Sequence, residues 1–166
     1  GGGGQVGGGR GGRGRRLTYR FWDAARCARG DLGGERADLA RVAPTAIEDR
    51  WILSRLAATR EEVTQCLTQY DFNDAVSALY RFVWNDFCDW YLELVKSRLG
   101  EEGGASAAMA RGTLARVLET TLCLLHPVMP FQTEVLWKEL LAALGQEAGL
   151  LVTSPWPKSD VAPRDL

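Results

Sequence analysis

Asp86, Asp89 and Glu93 are the densest set of chemistry-capable side chains in this 166-residue chain, spaced by three and four so that one helix carries all three. Carboxylates at that spacing can hold a metal ion or serve as acid and base, but pairing with Arg55 or Arg81, or plain solvation, is the expectation. Other catalytic arrangements lack parts. Ser54, Ser77 and Ser106 have no His in sequence register with them, and the single histidine, His126, lies between an apolar helical run and Pro127, which gives it a structural reading. The Glu-x-x-His pairs of a di-iron bundle are missing, and the N-terminal glycines are not followed by the Lys-Ser or Lys-Thr of a phosphate loop. Cys27, Cys66, Cys88 and Cys123 are far apart, none in a C-x-x-C pair, so they read as buried thiols rather than a zinc site or a disulfide framework. By its own residues the chain is a binding module, with no metal site.

Charge suggests what it binds. Residues 1–30 carry seven arginines (Arg10, Arg13, Arg15, Arg16, Arg20, Arg26, Arg29) against Asp23 alone, a net +6 on a chain whose total is −1. A basic end on an otherwise acidic chain suits a surface that meets phosphate, with a solvated basic tail as the alternative. Residues 1–14 hold ten glycines, and burial of so few side chains cannot offset the cost of ordering that backbone, so residues 1–16 are expected to be disordered.

The elements that must position these residues are helices. Phe72, Val76, Leu79, Val83, Phe87, Trp90 and Leu94 recur at helical spacing, while Tyr80, Trp84, Cys88, Tyr91 and Val95 form a neighbouring stripe. A helix apolar on two sides is packed on two sides, so the segment from Phe72 to Leu99 is predicted to be the central helix of a bundle, capped by Asp71 or Asn73. Trp84, Phe87, Trp90, Tyr91 and Trp137 are accordingly expected to be structural core, and Phe131 also reads as packing rather than a base-stacking platform. Replacing a buried Trp90 by Ala would cost about 3–5 kcal/mol.

A short amphipathic helix is predicted over Leu17–Ala28 and ends at Gly30, Gly33 and Gly34. The next opens with Thr45 as N-cap and Glu48 in capping-box register, and runs to about Gln69, burying Ile52, Leu56, Val63, Leu67 and Tyr70. A fourth spans about Ser106–Leu125 with Ala110, Leu114, Val117, Leu118, Thr121, Leu122 and Leu125 on its inner face; Pro127 and Pro130 end it. The last runs from near Gln132 to Leu144, held by Phe131, Val135, Leu136 and Leu140, and an extended tail follows with Trp156 pinned to the bundle. The fold class is all-α, an up-and-down bundle of about four to five helices, with a domain over residues 17–158 and a tail over 159–166. No run of apolar residues is long enough for a membrane span, and no apolar signal-peptide core precedes the helices, which gives a cytoplasmic expectation.

Five ordered motifs add a family resemblance. F-x-x-A-x-x-x-L-Y-x-F-x-W-x-x-F-C-D-W-Y-L-E (Phe72–Glu93) resembles the central helix of the anticodon-binding domain in the class I aminoacyl-tRNA synthetases for valine, leucine and isoleucine. L-L-H-P-V-M-P-F-Q-T-E-x-L-W (Leu124–Trp137) is similar to the same domain's next signature. F-W-D-A-A-R (Phe21–Arg26), D-R-W-I-L-S-R-L (Asp49–Leu56) and S-P-W-P (Ser154–Pro157) stand in the matching order. W-N-D-F-C-D-W-Y-L-E and the closing S-P-W-P resemble the valyl members in particular, with an isoleucyl or leucyl equivalent as the alternative.

The resemblance implies a domain that grips the anticodon arm of a tRNA. The family's ATP motifs, His-Ile-Gly-His and Lys-Met-Ser-Lys-Ser, are not in this sequence. It therefore implies no catalysis by this piece and no cofactor in it; ATP and Mg belong to a catalytic domain of the same enzyme, which is the second expected partner. In the family an Arg-Asn-Phe element leads into F-W-D-A-A-R; Arg15, Arg16 and Leu17 stand there by spacing, so the Arg is kept and the Asn is not. Arg15, Arg16, Arg20, Arg26 and Arg29 are the expected tRNA contacts. The competing class is a truncated paralogue that serves as a helical protein-interaction module.

Overall fold

A computed structural model describes Tyr19, which is helical and exposed, and residues 46–99, 104–147 and 149–158. The expected disordered segment 1–16, the leading helix apart from Tyr19, the Thr45 cap and the tail 159–166 lie outside the described residues. Among the described residues the chain is helical with no strand.

Helix α1 spans Ile47–Thr68, its N-cap being Ala46 in extended conformation rather than Thr45, with no side-chain cap. Glu48 closes no capping box there, because its carboxylate is held by Arg98 instead, 2.7 Å away. Glu48 and Asp49 still place negative charge in the first turn, where the helix dipole favours it. The helix ends in a Schellman motif. The Asp71 N–H donates to the Cys66 carbonyl (2.8 Å) and the Tyr70 N–H to the Leu67 carbonyl (3.2 Å), while Tyr70 takes φ 62°, the position where glycine is usual. That left-handed turn carries the Tyr70 ring into solvent, 79% exposed, which corrects the expectation that it is buried.

The central rod has three parts: α2 (Phe72–Arg81), a π-helix (Phe82–Tyr91) and α3 (Leu92–Leu99). Helical backbone at Arg81, Phe82 and Leu92 makes them continuous. The Leu92 N–H donates to the Phe87 carbonyl, five residues back, and this wider turn is the mark of π geometry. Its consequence is a rotated inner face: Leu79, Phe82, Val83, Phe87, Cys88, Tyr91 and Val95 are buried. Trp90 is 62% exposed and Leu94 48%, so the expectation that Trp90 is core is corrected; wider turns move it off the stripe that α-helical spacing projects. Phe72, Val76 and Tyr80 are exposed as well, while Trp84 packs against the core from its edge.

Helix α4 (Ala105–Leu125) buries the whole of its expected inner face, and the buried Thr121 hydroxyl is satisfied by donating to the Val117 carbonyl at 2.6 Å. Helix α5 (Pro130–Ala143) begins two residues before the expected Gln132, with Pro130 at its first turn, where a missing N–H costs nothing. It is held by Leu136, Leu140 and Leu141 rather than by Phe131 and Val135, which are 87% and 55% exposed. A 3-10 turn (Leu151–Thr153) and an extended stretch close the described chain. Helix α1 packs on α2, the π-helix and α4; α3 and α5 each pack on α4. The short Tyr70 turn reverses the chain between α1 and the rod, giving the expected up-and-down all-α bundle.

One polar cluster sits inside this apolar packing. Asp49 is fully buried and accepts a hydrogen bond from the Tyr91 hydroxyl (2.9 Å) and one from Arg98 Nη1 (2.8 Å). Arg98 also donates through Nε to Ser106 Oγ at 2.9 Å, so the cluster joins α1, the π-helix, α3 and α4. Removing one partner of a buried charge leaves it uncompensated. Arg98→Met is expected to cost about 3–5 kcal/mol, and Tyr91→Phe about 1–3 kcal/mol, both read as shifts in the urea midpoint at unchanged slope. In the same assay Phe87→Ala loses about 3–5 kcal/mol, while Trp90→Ala stays within about 0.5 kcal/mol of the parent.

Candidate functional site

Several charged groups of the described helices are held in pairs. Arg55 Nε meets Asp86 at 2.9 Å, as the sequence suggests, and Arg81 meets Glu62 at 2.6 Å rather than the Asp86 group. Lys96 bridges both carboxylate oxygens of Glu93 at 2.6 Å. Asp86, Asp89 and Glu93 therefore do not converge on a common point, and no group of metal-ligating side chains occurs among the described residues. Arg60, buried despite its charge, donates to the Lys158 carbonyl and stands 3.8 Å from Glu61. Burial lowers the pKa of Arg98, and hydrogen bonds and charge from Asp49 and Glu48 more than reverse it. Burial raises the Tyr91 hydroxyl far above its ordinary value, and the negative Asp49 beside it adds to the shift, so Tyr91 is a fixed donor.

Several side chains that could act as nucleophiles are occupied or quenched. Ser77 Oγ donates to the Asn73 carbonyl (2.8 Å), and Ser106 Oγ accepts from Arg98. Burial pushes the Cys123 thiol up to about 11, which keeps it protonated and unreactive at neutral pH. Cys88 is buried in the core, consistent with its reading as a small hydrophobe. His126 Nδ1 lies 2.8 Å from Thr133 Oγ1, which itself donates to the Met129 carbonyl (2.9 Å). This contact ties the end of α4 to the first turns of α5.

A strap of extended chain lies across the bundle. Glu134 accepts the Leu151 N–H (3.1 Å to Oε1), Trp137 Nε1 donates to the Gly149 carbonyl (3.1 Å), and Trp156 Nε1 donates to Thr64 Oγ1 (3.0 Å). Trp156 is thus pinned as the sequence indicates, on the outside of α1. Cys123, His126, Leu151 and Trp156 help line a small hollow of about 130 Å³ under this strap. An open cleft of about 410 Å³ lies at the α1–α2 turn between Tyr70 and Asp74.

Of the expected core residues, Phe87 and Tyr91 are buried, Trp84 and Trp137 are half-buried, and Trp90 is on the surface. The expected tRNA contacts Arg15, Arg16, Arg20, Arg26 and Arg29 all lie outside the described residues. Sequence reasoning missed the Asp49–Tyr91–Arg98 cluster and the buried Arg60. The only available signal was Asp49 beside an apolar helical face, and its partners are 42 and 49 residues further on. Taken together, the described residues form a helical scaffold tied by buried and surface polar contacts.

Comparison with known proteins gives this scaffold a family. The chain is similar to the valine--tRNA ligase of Carboxydothermus hydrogenoformans, with 41% identity over 145 residues, 87% of this chain and 16% of that protein. Similar relations hold for the valine--tRNA ligase of Ruegeria pomeroyi, 41% identical over 147 residues (86% of this chain, 14% of the relative), and that of Geobacillus stearothermophilus, 39% over 145 (86% and 16%). The chain spans at most 16% of the length of these relatives. Residues 49–165, running from the buried aspartate of α1 past the strap, match the anticodon-binding domain of tRNA ligase, and the chain belongs to that family.

Proposed function

We propose that this chain is the part of a valine-tRNA ligase that grips the anticodon arm of valine tRNA, so that the acceptor end reaches a catalytic domain carried elsewhere in the same enzyme. The similarity to valine--tRNA ligases over 87% of the chain is the observation that carries this reading. ATP and Mg act in that catalytic domain, which attaches valine to its tRNA during translation in the cytoplasm; this piece contributes binding and orientation.

The chemistry of the target suits an arginine-bearing surface. Anticodon bases are single-stranded, so their Watson–Crick edges are open to side chains and their faces to aromatic or guanidinium planes, while phosphates attract cations. Valine codons begin with GU, so valine anticodons share A and C at their second and third positions, and these bases are the targets that confer specificity. Arg15, Arg16, Arg20, Arg26 and Arg29 are the proposed contacts, supported by the concentration of +6 in residues 1–30.

A titration of this chain with valine tRNA and with a version whose anticodon is exchanged is expected to show selective binding of the first. Equal or absent binding would favour a helical protein-interaction module instead. Charge reversal at Arg15 together with Arg20 is expected to weaken tRNA binding and reduce the slope of log affinity against log salt by roughly 0.7 or more for each phosphate that is no longer neutralised. Unchanged filter-binding affinity for the double variant would remove those arginines from the interface.

A further inference from the structure

Of the five aromatic residues expected to form the core, Trp90 is the one on the surface, and its surroundings fit a nucleotide. It lies on the π-helix, 62% exposed, and makes no ring contact among the described residues. The residues four before and four after it, Asp86 and Leu94, share its side of the rod, and Glu93 follows at three. Two nearby carboxylates are paired, Asp86 with Arg55 at 2.9 Å and Glu93 with Lys96 at 2.6 Å, while Asp89, next to Trp90 in the chain, is exposed. With the exposed Leu94 on its side of the rod, the indole offers an aromatic face large enough to stack one base.

Arg55 supplies the second half of a nucleotide site. Its side chain is half exposed, and only its Nε is engaged, by Asp86; its two terminal nitrogens have no partner among the described residues. A guanidinium anchored through Nε and open at its outer edge presents paired donors to a phosphate. Asp86, which anchors Arg55, stands four residues before Trp90 on the rod.

We propose that Trp90 is a stacking platform for one unpaired base of the anticodon arm, with Arg55 holding an adjacent phosphate. This rests on the anticodon-binding reading above and gives it a residue outside the arginine-rich leading segment. Stacking is indifferent to base identity, so Trp90 contributes affinity and places the strand, while edge contacts elsewhere carry the specificity.

The test uses this chain with a valine-tRNA anticodon stem-loop carrying 2-aminopurine in the loop. Trp90→Ala is expected to keep its melting temperature, weaken binding about tenfold and abolish the stacking-induced change in 2-aminopurine fluorescence. Trp90→Phe should retain most of both, and Arg55→Met should lower the salt slope by about 0.7. Selective binding by the parent with undiminished binding by Trp90→Ala would overturn the platform and leave the anticodon reading standing. A large drop in the melting temperature of Trp90→Ala would overturn it too, by showing that the indole is packed. If the parent itself fails to bind the stem-loop, the anticodon reading falls and the platform with it.

Discussion

The burial of the Asp49 carboxylate constrains the arrangement of the whole bundle. A charge with no access to water is tolerable only if its oxygens are hydrogen-bonded and its charge is balanced, and here Tyr91 meets one oxygen and Arg98 the other. Those partners come from different parts of the rod, and Arg98 reaches on to Ser106 at the start of α4. Four helical segments must therefore be in register at one end of the bundle before the cluster can close. An apolar core of similar volume would pack as well, but it would accept small rotations and slips that this cluster does not.

The π-helix is tied to the same constraint. It brings Tyr91 inward to Asp49, and widening the turns to do so changes which residues face the core. Phe82, Val83, Phe87 and Cys88 fill the interior beside Tyr91, and Trp90 is left outside. The stretch of the rod that seats Tyr91 on the buried carboxylate thus also carries the proposed nucleotide platform on its outer side. At the opposite end of α1 a left-handed tyrosine does comparable work for the chain reversal, and its ring is exposed as a result.

The second set of polar ties fastens the strap. Glu134, Trp137, Thr64 and Arg60 hold residues 149–158 against α1 and α5, although this stretch contributes little regular structure. Side chains that read as ordinary surface groups along the sequence are what keep the last part of the domain on the bundle.

The sequence alone determined the all-helical class, the order of the elements and the family, because apolar spacing, proline and glycine breaks and the ordered motifs are local properties. It located α4 closely, where propensity, spacing and burial agree. It misjudged Trp90, Phe131, Val135 and Tyr70, each an apolar or aromatic residue whose direction depends on helix register or on what packs beside it. Only the tertiary structure decided the Asp49 cluster, since its members lie up to 49 residues apart and nothing in their spacing pairs them. It also decided that the central rod is partly π-helical, because helical spacing read from sequence assumes one turn size throughout.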